Sequence, residues 1–352
     1  MQWLIKLHTY GLLRDSFRLA SHREGVRTLW RLRGRHVEEA GREVQPMPKA
    51  LTKMNIQWAN AISDISGGSG QAIIGAILKG ERDPYQLADL RHERVQASRE
   101  EIARSLEGNW REDLIFELQQ AVDGYRFVHR QMQECDQQLE SYLASLPTRM
   151  PDVPHSTAEQ TAAAPQKVPQ AKKAKKPKGN APGLDLQAYL KRICGVDLTT
   201  IEGIDVMTAM MVLSEMGADM REFPTEDNFT GWLGLTPSPP ISGGKVIGPE
   251  RRKVQNRLAQ ALRMAASTLL NSKSYLGARY RHLRHPLPCK AAAVKARARY
   301  LAVLIYRMLT QGAVWVDRGA KRFEQKRSDR EMAMRTSKAL AQGFKLTPVT
   351  AA

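Results

Sequence analysis

The sequence predicts a mainly helical chain of two helical regions joined by a disordered linker. Three observations predict it. Apolar residues recur at spacings of three and four on both sides of residues 147–184, and no alternation of the βαβ kind is present. The stretch from Pro147 to Gly183 holds seven of the chain's 18 prolines and few large apolar residues, too few to offset the entropy of folding. A chain of 352 residues with 42% hydrophobic content is long enough for two cores and a linker.

Residues 1–45 read as Arg-rich helices, with apolar positions Trp3, Leu4, Leu7, Leu12 and Leu13, then Leu29, Trp30 and Leu32. Gly11 and the Ser16–Phe17 region mark a break between them. The opening MQWLIKLHTYGLL is interrupted by Lys6 and has no small-residue cleavage site, so it does not read as a signal peptide.

Residues 46–146 form a helical and coiled-coil region. A Ser/Gly-rich turn (Ser66, Gly67, Gly68, Ser69, Gly70) opens a short apolar helix, which Gly80 ends and Pro84 closes off. Then Leu114, Leu118, Ala121, Tyr125, Val128, Met132, Cys135, Leu139, Tyr142 and Leu146 alternate spacings of four and three, a heptad seam. Such a seam serves a coiled-coil hairpin, a dimerisation helix, or a helix packed on its own domain; the length favours a homo-oligomer through residues 114–146.

The linker, residues 147–184, carries Lys172, Lys173, Lys175, Lys176 and Lys178, which either touch phosphates or are merely solvated. Residues 185–320 are helical again. Leu198–Gly217 read as two helices joined by a tight glycine turn. Leu258, Leu262, Ala265, Ala266, Leu269 and Leu270 mark a helix in the basic stretch that follows Pro249. Residues 321–352 are a basic tail.

Charge narrows the partner. The net charge is +18, and from Ser242 onward there are 24 Lys and Arg against 5 Asp and Glu, whereas residues 1–241 hold 30 against 31. A basic run of that length suits phosphates and the release of their counterions. Cys135, Cys194 and Cys289 lack paired spacing, so neither a disulfide framework nor a zinc site is indicated, even with His282 and His285 near Cys289. Val206–Met216, interrupted by Ser214 and Glu215, is too short to span a bilayer. A soluble, cytoplasmic, nucleoid-associated protein is expected.

Two short motifs could carry chemistry. Ile201-Glu202-Gly203-Ile204-Asp205 is like a helix–hairpin–helix turn, in which backbone N–H groups grip a phosphate. Asp205 replaces the second glycine of the usual pair, so this turn either contacts phosphate or only packs. In Ser242-Gly243-Gly244-Lys245 the glycines leave the hydroxyl unshielded and let backbone N–H groups approach an anion, with a cation alongside. A serine so placed can attack a phosphodiester; the plainer reading is an ordinary Ser-Gly-Gly turn.

The block TTIEGIDVMTAMMVLSEMGADMREFPTEDNFTGWLGLTPSPPISGGKVIG resembles the C-terminal domain of transposases of the insertion-sequence 110 (110/1111/116/902) family. CKAAAVKARARYLAVLIYRMLTQGAVWVD resembles the helix that closes that domain. ISGGSGQAII with GERDP resembles the end of the family's N-terminal half, and MQWLIKLHTYGLLRDSF a segment just downstream of its last catalytic aspartate. The resemblance implies a DNA recombinase with a resolvase-like, RNase H-like N-terminal domain whose Asp, Glu, Asp and Asp bind Mg2+. It also implies a structured guide RNA, multimers with composite active sites, and a serine nucleophile that matches Ser242. Nucleic-acid contacts are then expected from Gly203, Gly243, Gly244, Lys245, Arg251, Arg252, Lys253 and Arg257.

The family's final aspartates lie a few residues before the Trp-Leu pair matching Trp3 and Leu4, and Asp15 and Asp64 match none of the four carboxylates. The resemblance therefore implies a chain truncated at its N-terminus, its residues 1–45 a remnant of the resolvase-like domain, with impaired cleavage and no metal ligands of its own. A non-catalytic nucleic-acid-binding remnant of a mobile element is the alternative.

Overall fold

A computed structural model describes residues 2–12, 21–57, 62, 64–93, 95–149, 180–236, 241–247, 256–284, 290–312 and 319–344. The linker's central stretch, residues 150–179, lies outside them, as do Leu13, Asp15, Ser16 and Phe17. Helices dominate, as the apolar spacing predicts, and one two-stranded hairpin is the only sheet among the described residues. The chain forms two compact units: residues 25–145 with 180–185, and residues 186–344 with 146–149 and the N-terminal residues before 25. The N-terminal helix α1 (Gln2–Thr9) exposes Trp3, Leu4 and Ile5.

The first unit is built on an antiparallel pairing of α2 (Ser21–Val44) with the long helix α7 (Glu112–Ser145). As residue numbers rise along one helix they fall along the other. Gly25 backs onto the Tyr142 ring, the Arg33 Nε donates to Asp136 Oδ1 at 2.5 Å, Ala40 packs with Val128 and Met132, and Gly124 faces Glu43. The Arg33 guanidinium is 2% exposed, and its Nη2 also donates to the Asn180 carbonyl at 2.9 Å, so the buried charge has acceptors on two sides. Gly183 N–H donates to the other Asp136 oxygen.

Beyond this pair the chain turns through α3 (Pro46–Lys53), α4 (Gly68–Leu78), α5 (Pro84–Asp89) and α6 (Arg99–Ser105) before entering α7. Their shared core includes Met47, Leu51, Met54, Ile73, Ile74, Ile77, Leu87, Ile102 and Leu118. The Ser/Gly-rich turn opens α4 as predicted. Gly70 is needed there because a Cβ would collide with the Ile65 carbonyl oxygen. Gly80, at φ +101, ends the helical path. Pro84 begins the next helix, with Asp83 capping it by accepting from Tyr85 N–H. A capping box of Ser98 and Glu101 starts α6.

The sequence favours self-association through the 114–146 seam; the structure covers that seam within its own chain. Leu118 and Leu139 are fully buried, and Leu114, Ala121, Val128, Met132, Cys135 and Leu146 are buried too, while Tyr142 is exposed. Two surfaces of the same chain cover it: Leu114, Leu118 and Ala121 join the core of Met47, Leu51 and Ile102, and Val128 and Met132 pack with Ala40 of α2. Burial, with Asp136 beside it, pushes the Cys135 thiol up, away from a reactive thiolate.

The second unit contains α8 (Leu186–Cys194), a 3-10 turn at Leu198–Thr200, α9 (Val206–Met216), α10 (Glu226–Trp232), the hairpin β1 (Ile241–Ser242) and β2 (Lys245–Val246), α11 (Arg257–Thr268), α12 (Tyr275–Arg284), α13 (Lys290–Gln311) and α14 (Gly319–Ala341). The first of the two helices expected in 198–217 is thus a single 3-10 turn, capped by the Asp197 side chain. Helix α13 is the unit's axis: Ala298, Leu301, Ala302, Ile305, Met308 and Leu309 are buried, and it packs against α10, α11 and α12. The Arg307 fork grips Glu226 at 2.7 and 2.9 Å, Arg299 reaches Asp227 at 2.7 Å, and the Tyr306 hydroxyl donates to the Phe223 carbonyl. Residues 146–149 are stitched to this unit by Arg192 on the Leu146 carbonyl and Arg149 on the Ala218 carbonyl.

Truncating a seam residue should therefore damage the fold, not an assembly. Leu118→Ala is expected to lower the unfolding free energy by about 2–5 kcal/mol, read by urea denaturation, with the sedimentation coefficient unchanged. Dissociation into a smaller species with stability intact would instead place the seam between chains.

Candidate functional site

The loop bearing Ser242 leaves the unit at the end of α10. Thr225 caps that helix by accepting from Asn228 N–H, and Phe229 seats it among Phe223, Trp232 and Tyr306, with ring centroids 5.3–6.2 Å apart. Gly234, at φ +68, turns the chain out of the helix, while Leu233 and Leu235 stay buried on either side and the Thr230 and Thr236 hydroxyls meet at 2.8 Å. Residues up to Thr236 are anchored, whereas residues 241–245 face solvent.

Strand β1 pairs antiparallel with β2 in the register Ile241 to Val246 and Ser242 to Lys245. Gly243 and Gly244 form the two-residue connection, at φ +55 and +75. Two successive positive φ values define the type I′ turn whose twist matches a hairpin, and glycine takes them without strain. The Gly-Gly pair thus has a conformational reason of its own. A Cβ at either glycine would meet nothing within 4 Å, so the turn's outer face is open.

The register also groups the side chains. Cross-strand partners share one face of a ribbon, so Ser242 and Lys245 lie side by side, and Ile241 takes the other face. Ser242, Gly243, Gly244 and Lys245 are all exposed, as are Ile241 and Ile247. A hydroxyl, an ammonium and two unshielded peptide units are therefore presented together on a tight protrusion. An electron-poor phosphorus with its anionic oxygens could approach both groups from one side.

The glycine turn before α9 is arranged differently. Gly203, at φ +89, lies against α11, where a Cβ would stand 3.0 Å from the Ala265 carbonyl oxygen and 3.2 Å from Leu269. Asp205 caps α9, its carboxylate accepting from Thr208 N–H at 2.7 Å. A helix–hairpin–helix offers that helix terminus to a phosphate; here the chain's own carboxylate occupies it. The packing role of the turn is the one the geometry supports.

Arg257 is exposed in the first turn of α11, which Asn256 caps. Arg251, Arg252 and Lys253 lie outside the described residues, and so do His285 and Cys289. A dense group of exposed cations sits on α14, where Lys321, Arg322, Lys326, Arg327, Arg330, Arg335 and Lys338 all face solvent. That helix docks through Phe323, whose ring meets Tyr275 edge-on at 5.5 Å and His282 at 5.9 Å. Sequence reading marks residues 321–352 as a basic tail without reading a helix there; α14 carries seven basic residues in 23 with hardly an apolar stripe.

Several described acids of this unit are engaged elsewhere. Asp197 and Asp205 are caps, Asp219 pairs with Arg221, Glu226 with Arg307 and Asp227 with Arg299. Among the described residues no three His, Cys, Asp or Glu side chains come together as a metal site. No helix of the described residues is long and apolar enough to cross a membrane.

No curated protein matches the chain. Residues 197–281 do match a family model, and they run from the Asp197 cap through the Gly203 turn, α9, α10 and the Ser242 hairpin to Arg281 in α12. The family is described as the transposases of the IS116/IS110/IS902 family, and the similarity of residues 197–281 to its domain supports a transposase, an enzyme of DNA transposition.

Proposed function

We propose that this transposase cleaves and rejoins DNA strands with Ser242 as its nucleophile, holding DNA and a structured guide RNA on the basic surface of its C-terminal third. The observation that carries the reading is the hairpin itself: a rigid, solvent-facing turn inside the family-matched segment that places a serine hydroxyl beside a lysine ammonium. In the reaction the Ser242 hydroxyl gives up its proton and Oγ bonds to phosphorus. The ester bond from phosphorus to the deoxyribose oxygen breaks, and that oxygen takes up a proton. Reversal with a second strand end rejoins the DNA and frees the serine. Lys245 and the Gly243–Gly244 peptide N–H groups offset the charge that builds on the phosphoryl oxygens. The guide RNA enters from the family resemblance and from a surface with far more cations than one DNA strand needs.

The resemblance also implies Mg2+ held by four carboxylates. The described residues do not fit that ion, since their acids are caps and ion-pair partners rather than a cluster. The chemistry of the described residues rests on Ser242 and Lys245. This absence of a carboxylate cluster among the described residues favours one second reading, a nucleic-acid-binding protein of the mobile element that does not cut.

A trapping experiment separates the two. Incubated with end-labelled element DNA and quenched in detergent, the wild-type chain should leave a covalent protein–DNA adduct that Ser242→Ala lacks, while both bind the DNA equally. An adduct that survives in the alanine variant would show that the nucleophile lies elsewhere. No adduct in either protein, with binding retained, would establish the non-cutting reading.

Binding should depend on salt, and α14 should account for part of the slope. Replacing Arg322, Lys326 and Arg330 together with Gln is expected to flatten the plot of log affinity against log salt by up to about three units, roughly 0.9 per lost phosphate contact. An unchanged slope would remove α14 from the interface.

A further inference from the structure

Helix α13 encloses a cation that has no acceptor. Arg297 is 1% exposed and heads the largest fully buried side chains of the described residues. None of its three guanidinium nitrogens has a hydrogen-bond partner among those residues. Its surroundings are aromatic and cationic. The guanidinium carbon lies 5.1 Å from the centroid of the Tyr300 ring, and Arg279 of α12 stacks over the same ring at 3.8 Å. Tyr275 and Tyr280, both on α12, are further polar side chains in its neighbourhood. Burial, with Arg279 next in weight, pulls the Arg297 guanidinium down to about 10, which still leaves it protonated at neutral pH.

The chain's other arginines show what is missing. Arg33, equally buried, has Asp136 and a backbone carbonyl. Arg299 and Arg307, on the same helix as Arg297, each reach a carboxylate of α10. A tyrosine face attracts a guanidinium but accepts none of its in-plane N–H groups, and a buried charge without hydrogen bonds is strongly disfavoured. Two guanidiniums on one ring also repel. An oxyanion reaching this cluster would give Arg297 its missing acceptor and offset both charges, and the planar fork of arginine suits the oxygens of a phosphate.

We propose that Arg297 and Arg279 form an internal receptor for a phosphate oxyanion, filled by one phosphodiester of the nucleic acid bound to this unit. The proposal rests on the nucleic-acid reading given above. A carboxylate from this part of the chain is the weaker match, because only 5 acids follow Ser242. Of these, Glu331 already pairs with Arg327 and Asp329 with Gln325. Since Arg297 is closed off from solvent, the anion enters as α12 and α13 part, and the receptor reports nucleic-acid engagement to the helix on which the unit is built.

The test uses the full chain, with thermal unfolding in the presence and absence of inorganic phosphate, and anisotropy with labelled duplex DNA. Arg297→Met keeps the length of the side chain and removes its charge. It should unfold at the same or a higher temperature than wild type without phosphate, since an unpaired buried charge has gone. It should lose the rise in Tm that phosphate gives wild type, and bind duplex roughly tenfold or more weakly, the loss of a charge-assisted hydrogen bond. Arg279→Gln, at a half-buried position, should lose the phosphate response as well. An Arg297→Met chain that unfolds earlier or fails to fold, or equal phosphate responses in wild type and both variants, would overturn the receptor. If the wild type binds no duplex, the nucleic-acid reading fails, and the phosphate comparison still decides whether an anion site exists. A phosphate response lost in both variants with duplex affinity unchanged would overturn the assignment of the site to nucleic acid.

Discussion

The C-terminal unit depends on the burial of one face of α13. Leu301, Ile305, Met308 and Leu309 fill the space between α10, α11 and α12, and no other helix of the unit touches all three. Polar contacts then fix what apolar burial leaves free. Apolar packing is non-directional, whereas the Arg307–Glu226 fork and the Tyr306–Phe223 bond set the rotation and height of α10. From α10 the chain runs directly into the Ser242 loop. Positioning of a solvent-facing hydroxyl thus traces back to carboxylate–arginine pairs whose partners lie 72 and 81 residues apart in sequence.

The hairpin at the end of that path combines stiffness with exposure. A two-residue I′ turn has few alternative conformations, so Ser242 and Lys245 are held side by side without a packed core around them. This is a reasonable compromise for a protein whose substrate is a polymer. In the proposed reaction a phosphate reaches the hydroxyl along a continuous strand, which a deep pocket would obstruct. The segregation of charge fits the same demand. Cations collect on α14 and beside the hairpin, while the first unit is near neutral and spends its charged residues on internal pairs such as Arg33–Asp136 and Lys53–Glu117.

Much of this was legible in residues alone. The period of the apolar positions identified the helices, the Ser66–Gly70 turn opened α4 as read, and the 114–146 pattern was a true helix–helix seam. Its partner was not legible. Helix α2 contributes only Val26, Trp30 and Ala40 as buried apolar residues, amid arginines, and its strongest contact is a buried ion pair. An apolar pattern has no means of showing such a helix as a partner, so residues 25–45 read as part of a separate segment. Burial of Arg297 was hidden for a related reason. In KARARYLA three basic residues stand at alternate positions, and only the rotation of α13 sends Arg299 to a carboxylate and Arg297 inward. At the Gly203 turn the sequence left phosphate contact and packing both open, and the Ala265 carbonyl beneath the glycine supports packing.

The central claim is that nucleic acid engages the unit that carries Ser242. Photo-crosslinking the full chain to DNA bearing halogenated pyrimidines, followed by mass spectrometry of the joined peptides, tests it without assuming any chemistry of cleavage. The account predicts crosslinks concentrated between residues 241 and 344, with the hairpin and α14 among the sites and α2 and α7 nearly free of them. Crosslinks gathered instead on the paired helices of residues 25–145 would contradict it, since nucleic acid would then lie on the unit that lacks both the basic excess and the serine.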